Sequence, residues 1–86
     1  MITIKVIFFA SFKELLDCAQ LELSLDEGTN IQDLCLVLSN KGGRWEGLFE
    51  QANKNVKVAC NQSMAELSTL LSEGDEVAFF PPVTGG

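Results

Sequence analysis

Leu21-Glu-Leu-Ser-Leu-Asp-Glu-Gly-Thr-Asn-Ile-Gln-Asp-Leu-Cys-Leu-Val-Leu38 changes its hydrophobic period half-way along. Leu21, Leu23 and Leu25 alternate with Glu22 and Ser24, the period of a half-buried strand. Asp26-Glu27-Gly28 then reads as a turn, and Thr29 with Gln32 has capping-box spacing for the start of a helix. Ile31, Leu34, Cys35 and Leu38 fall at i, i+3, i+4 and i+7, an apolar stripe on a helix that stops at Gly42-Gly43. A strand running straight into an amphipathic helix calls for a sheet whose one face that helix can cover.

The flanking sequence supplies the sheet. Upstream, Ile2 to Phe9 is rich in β-branched and aromatic residues, with Ile2, Ile4, Val6 and Phe8 on one face and Thr3, Lys5, Ile7 and Phe9 on the other. The second face turns apolar at its end, which a purely solvated face would not do. Ser11 and Glu14 have capping-box spacing, so a short helix through Leu15 and Leu16 is expected. Downstream, Trp45, Leu48, Phe49 and Ala52 repeat helical spacing more weakly, because Gly47 sits among them. Val56, Val58 and Cys60 alternate with Lys57 and Ala59, Asn61-Gln62 offers a turn, and Leu67, Leu70 and Leu71 are expected in the core. Glu73 to Glu76 is another turn before a last strand, Val77 to Phe80. The order strand, strand, helix, strand, strand predicts the α+β class: a mixed sheet wrapped over one main helix. That is a β-grasp, ubiquitin-like domain over residues 1–80, with residues 81–86 as an extended tail. Parallel first and last strands would place the helix in a right-handed crossover.

Composition narrows the chemistry. At 86 residues the chain can bury one core and not two. It has no histidine, which removes Ser/His/Asp and Cys/His nucleophile pairs and any imidazole zinc site. A net charge of −6 is the wrong sign for a nucleic-acid backbone or an anionic lipid surface, so charged partners should be basic. The apolar N-terminus carries Lys5 and lacks a basic leader, and no run approaches a membrane span, so a cytoplasmic location is expected. Cys18, Cys35 and Cys60 have no Cys-x-x-Cys spacing and read as free thiols, Cys35 and Cys60 at core-facing phases and Cys18 in a loop. Asp26-Glu27 and Asp75-Glu76 sit at turns and read as solvated, with no bound metal or permanent cofactor expected.

The remaining signal lies at the carboxy end. Val77-Ala-Phe-Phe-Pro-Pro-Val-Thr-Gly-Gly86 contains no charged side chain. Pro81-Pro82 cannot donate to a sheet, so the strand ends and an extended arm of Val83, Thr84, Gly85 and Gly86 follows. Gly85-Gly86 leaves the terminal carboxylate without a neighbouring side chain, free to enter a narrow slot. Ordering such an arm costs about 1 to 2 kcal/mol per residue, which a partner must recover and which two prolines reduce. Strand parity gives an independent anchor: with Val77 and Phe79 facing the helix, Ala78 and Phe80 face outward beside Ile7 and Phe9. Met64 is expected to complete that patch, making Phe9, Met64 and Phe80 the partner interface.

Glu73-Gly-Asp-Glu-Val-Ala-Phe-Phe-Pro-Pro-Val-Thr-Gly-Gly86 resembles the C-terminal signature of the MoaD/ThiS family of sulfur carriers. Val6-Ile-Phe-Phe-Ala10, Lys13-Glu14 and Asn61-Gln62 are similar to other family landmarks in the same order, and Lys13 stands where the family often has Arg. The resemblance covers the whole chain and is near-complete over its last fourteen residues. It implies the sulfur-carrier subunit of molybdopterin synthase, not an enzyme on its own. By that resemblance Gly86 is adenylated by an ATP-dependent activating enzyme, receives sulfur from a desulfurase or rhodanese system and becomes a thiocarboxylate. It then donates that sulfur to precursor Z (cyclic pyranopterin monophosphate) in the large subunit, within a heterotetramer whose catalytic residues belong to the large subunit. Three rivals stay open: a carrier for another pathway such as thiamine thiazole formation, a ubiquitin-like modifier joined to lysines through Gly86, and a passive interaction module.

Overall fold

Alternation at the N-terminus becomes strand β1, Ile2–Phe8, with Ile2, Ile4, Val6 and Phe8 buried and the intervening residues turned outward. A computed structural model describes residues 1–47, 49 and 57–80 of the chain. After β1 come α1 (Ser11–Leu16), β2 (Gln20–Leu25), α2 (Ile31–Ser39), β3 (Lys57–Cys60), β4 (Ser63–Met64) and β5 (Glu76–Phe80). Residues 44–47 and 49 are also helical, as the spacing of Trp45 and Phe49 requires. The sheet order is β2-β1-β5-β3-β4, with β1 and β5 parallel and the other pairs antiparallel. This is the expected mixed β-grasp sheet. Its last described strand lies in the middle, and two-residue β4 is an edge strand that the sequence pattern did not reveal.

One face of the sheet holds the core. Val58, Val77 and Phe79 join the inward residues of β1, and α2 covers them with Ile31, Leu34, Cys35 and Leu38, all four without exposed surface. Phe8, Phe12, Trp45, Phe49 and Phe79 form an aromatic cluster at one end, with Phe79 meeting Phe49 edge-on at 5.2 Å. Each fully buried Phe or Leu contributes about 1.5 to 3 kcal/mol, so this face dominates the stability.

Several local expectations shift. The capping box of α2 is Asn30 with Asp33, one residue beyond the Thr29/Gln32 pair: Asp33 N–H donates to Asn30 Oδ1 at 2.8 Å, and Asn30 N–H to Asp33 Oδ2 at 3.5 Å. Thr29 instead donates its hydroxyl to the Asp26 carbonyl. The segment before β5 decides this phase, because Ile31 and Gln32 N–H donate to the Thr69 and Leu67 carbonyls at 3.0 and 2.9 Å. The helix also ends earlier than Gly42-Gly43, with Asn40 as its C-cap. At α1 no side chain caps the start. Ala10 precedes the helix at φ 52°, which puts Phe12 and Leu16 in the core and leaves Leu15 exposed. Leu71 and Leu67 pack as expected, but Leu70 is 65% exposed, bridged to Asn30 through its backbone alone. The Asn61-Gln62 turn is a two-residue hairpin loop with both φ positive, joining β3 to β4.

Candidate functional site

Across the sheet from the core, pairing brings the outward residues into rows. Gln20, Ile7, Ala78, Ala59 and Met64 occupy one row, each at a paired position with the next. Beside it, Phe9 N–H donates to the Phe79 carbonyl at 3.2 Å and carries the β1–β5 ladder one residue past β1. The Phe9 and Phe80 rings then stack at 4.9 Å, 3° from parallel. Phe9 is 42% and Met64 70% exposed, while Phe80 is half-buried and Ala59 is buried in the floor between them. The three residues named from parity therefore share one outward apolar surface. Its floor of Ile7, Ala59 and Ala78 is built by β1, β3 and β5 together.

The backbone beside this surface is bent for a reason. Immediately after Phe9 the chain turns at Ala10 in a positive-φ conformation that favours glycine, and α1 leaves toward the core side. The Phe9 ring stays 42% exposed. At the opposite end of β5, Asp75 follows a turn and is partly exposed, as expected from sequence, and it also anchors a hydrogen-bond network. Its carboxylate accepts from Ser72 N–H at 2.7 Å and Asn61 Nδ2 at 2.9 Å, while Asn61 Oδ1 accepts from Glu76 N–H at 3.0 Å. This network ties the β3–β4 turn to the start of β5, so that Ala78 and Phe80 emerge on the outward face.

The side chains offer little reactive chemistry. Cys35 is buried and its thiol is pushed up to about 11 by desolvation. Burial also pushes the half-buried Cys60 thiol up, and the nearby Asp75 carboxylate, whose Oδ2 lies 3.7 Å from Sγ, adds to the effect. Neither is an activated thiolate at neutral pH. Cys18 donates to the Gln20 carbonyl at 3.4 Å. Among the described residues no cluster of three Cys, Asp or Glu could hold a metal ion, and no helix is long and apolar enough to cross a membrane. Pro81, Pro82, Val83, Thr84, Gly85 and Gly86 lie outside the described residues, as do Leu48, Ala52 and Val56. Phe80 is the last described residue of β5, at the edge of the apolar surface.

Parity located this surface, but not Lys57, which pairs directly with Phe80 on the neighbouring strand. Only the observed register reveals that neighbour.

The ThiS family model matches residues 6–86. The chain is 39% identical over 85 residues to the molybdopterin synthase sulfur carrier subunit of Haemophilus influenzae, covering 96% of this chain and 99% of that one. A protein–protein complex of subunits 1 and 2 of the molybdopterin-converting factor from Helicobacter pylori contains a similar chain, with a TM-score of 0.67, 28% identity, and coverage of 99% and 100%. The small archaeal modifier protein 1 from Methanosarcina acetivorans superposes with a TM-score of 0.78 at 27% identity, over 100% of this chain and 98% of that one.

Proposed function

Because the chain belongs to the ThiS family, we propose that it is the sulfur-carrier subunit of molybdopterin synthase and that its reactive group is the main-chain carboxyl of Gly86. The observation that carries this reading is the placement of Phe80. It is the last described residue of β5, it lies in an exposed apolar surface, and the sequence Pro81-Pro-Val-Thr-Gly-Gly86 follows it directly. The surface docks on the large subunit and the arm delivers the terminus.

The chemistry follows from what a carboxylate lacks. Its negative charge repels nucleophiles and it has no leaving group. Transfer of AMP from ATP, with release of pyrophosphate, gives Gly86 an acyl phosphate whose leaving group is AMP. A sulfur nucleophile then displaces AMP and leaves a thiocarboxylate. In the large subunit the ionised sulfur attacks an oxygen-bearing carbon of precursor Z, the new carbon–sulfur bond forming as that carbon–oxygen bond breaks and its oxygen leaves. Water then splits the resulting thioester, leaving sulfur on the pterin and returning Gly86 to carboxylate, and two such transfers supply the two sulfurs of the dithiolene. The chain's own side chains need no catalytic role, in keeping with its lack of histidine and its unactivated Cys35 and Cys60. ATP is consumed by the activating enzyme and is not held as a cofactor. The net charge of −6 suits basic pockets in the large subunit and the activating enzyme.

The similarity to an archaeal modifier favours one second reading, conjugation of Gly86 to lysines. Intact mass after co-expression with the activating enzyme separates the two. Replacement of one oxygen by sulfur supports the carrier, and lysine adducts support the modifier. The docking step is tested by calorimetry with the large subunit: Phe80→Ala should weaken binding by roughly tenfold or more, since burial of an aromatic anchor contributes about 1.5 to 3 kcal/mol. Unchanged affinity would remove Phe80 from the interface.

A further inference from the structure

The two outer strands of the sheet differ as edges. β4 is two residues long, whereas β2 runs for six, Gln20–Leu25, with no proline, glycine or lysine to blunt it. Its register fixes what it offers. Phe8 N–H donates to the Ala19 carbonyl at 2.9 Å, so the hydrogen-bonded pairs of the antiparallel β1–β2 ladder fall at Leu21, Leu23 and Leu25. The N–H and C=O groups of Gln20, Glu22 and Ser24 therefore point away from β1. The Gln20 carbonyl accepts from the Cys18 thiol at 3.4 Å, and no described strand pairs with Glu22 or Ser24 on that side. Leu21 and Leu23, on the core face of this edge, are only half-buried. Where β2 ends, a cleft of about 420 Å³ opens between it and α2, and its lining includes Met1, Leu25, Asp26, Asp33 and Val37. Both aspartates are exposed, and no lysine or arginine among the described residues lines the cleft. Lys41, one turn beyond Val37, is turned onto the Trp45 ring at 5.3 Å, and Lys5 pairs with Glu22 and Glu76. The Met1 α-amino group supplies at most one positive charge there.

We propose that the β2 edge and this cleft form a second interaction surface, which takes an extended basic segment of a partner protein as an added strand. The proposal goes beyond the carrier reading and makes no use of Gly86. The backbone groups of Glu22 and Ser24 supply hydrogen bonds to an extended segment of any sequence, so side chains must supply the selection. Residues of the added strand that fall on the core face lie beside Leu21 and Leu23 and are apolar. Where the strand reaches Leu25, a lysine or arginine lays its stem across Leu25 and Val37 and sets its charge against Asp26 and Asp33. An apolar cleft edged by carboxylates suits a cation on a long stem better than an acid or a short polar group. Glu22 adds less to this selection, because Lys5 already lies at its paired position. A second copy of this chain fits poorly, since it brings another net charge of −6 to the same contact.

The test is an amide-resolved NMR titration of the full, isotope-labelled chain. The probes are acetylated and amidated heptapeptides in which valine or isoleucine alternates with threonine and one lysine or arginine stands near either end. A matching set carries glutamate in place of the cation. The basic peptides should shift the Glu22 and Ser24 amide signals and bind at least about threefold more tightly than the acidic set. Ser24→Pro removes a donor that faces away from β1, and should weaken the basic peptides by about tenfold or more. N-methylation of the peptide's bonding amides should have the same effect on the unaltered chain. Asp26→Asn should weaken them by roughly two- to fivefold, with circular dichroism verifying that both variants fold. No shift at Glu22 and Ser24 with peptide at about 1 mM overturns the proposal. Equal binding of basic and acidic sets overturns it too, as does binding that survives both Ser24→Pro and N-methylation. Shifts at Phe9 and Phe80 in place of β2 also overturn it. The carrier reading is judged apart from all of these, by the mass of the chain after activation of Gly86.

Discussion

Phe79 and Phe80 are successive residues of one strand, and the two faces of the sheet put them to different uses. Phe79 has no exposed surface and touches Phe8 and Phe49, within a core that α2 closes from the other side. Phe80 stacks on Phe9 and is half-buried, on the outward face that Ile7, Ala59 and Ala78 share, with Lys57 at the paired position beside it. Residue type therefore says nothing about role at these two positions. Parity and what covers each face decide it, since hydrophobic stabilisation follows the area removed from water.

The widest separation between the faces should appear in stability. Phe79→Ala opens a cavity among Phe8, Phe49 and Val77 and should cost about 3 to 5 kcal/mol, a large fraction of a typical 5 to 15 kcal/mol total. Urea unfolding followed through Trp45 fluorescence measures it. The core face also carries a pH signature. The folded pKa of Cys35, about 11, lies above its ordinary value of 9.0, so the folded state holds the proton more tightly. Its contribution is complete below pH 9 and is lost as pH rises from 9 to about 11, by about 2 kcal/mol. Cys35→Ala should flatten that alkaline slope relative to the wild type in urea midpoints measured at pH 8 and pH 10.5. On the other face, Phe80→Ala should cost less than about 1 kcal/mol of stability while still impairing docking. A stability loss equal to that of Phe79→Ala would erase the distinction between the faces. The smallest effect belongs to the bend that follows Phe9. Ala10→Gly relieves a positive-φ strain and should raise stability by up to about 1 kcal/mol, read as a shift in thermal midpoint.

Much of this was legible in the sequence where period 2 governs. Alternation in β1 and β5 placed Val77 and Phe79 inward and Phe80 outward, because neighbouring side chains in a strand must take opposite faces. The stripe Ile31, Leu34, Cys35 and Leu38 placed α2 equally well. Sequence was less informative where distant backbone decided. Thr29 and Asn30 are both good caps, and the choice between them follows from the Thr69 and Leu67 carbonyls, nearly forty residues away. Phe12 in place of Leu15 follows from the bend at Ala10, which rotates the start of α1. The pairing of Lys57 with Phe80 was invisible because the two strands lie more than twenty positions apart in sequence. The roles assigned to Gly86 and the arm rest on composition and family resemblance.

The central position of β5 has a consequence for folding. β1 and β2 can pair as soon as both exist, as can β3 and β4, but each pair then ends in an open edge. Only β5 joins them, and its pairing with β1 connects residues about seventy positions apart, a non-local step that comes slowly. Completing the sheet and setting Phe80 beside Phe9 are thus the same event. A chain caught short of that event has two separate strand pairs and no assembled outward apolar surface, so a partner that bound the proposed docking surface would also inspect whether the chain has finished folding.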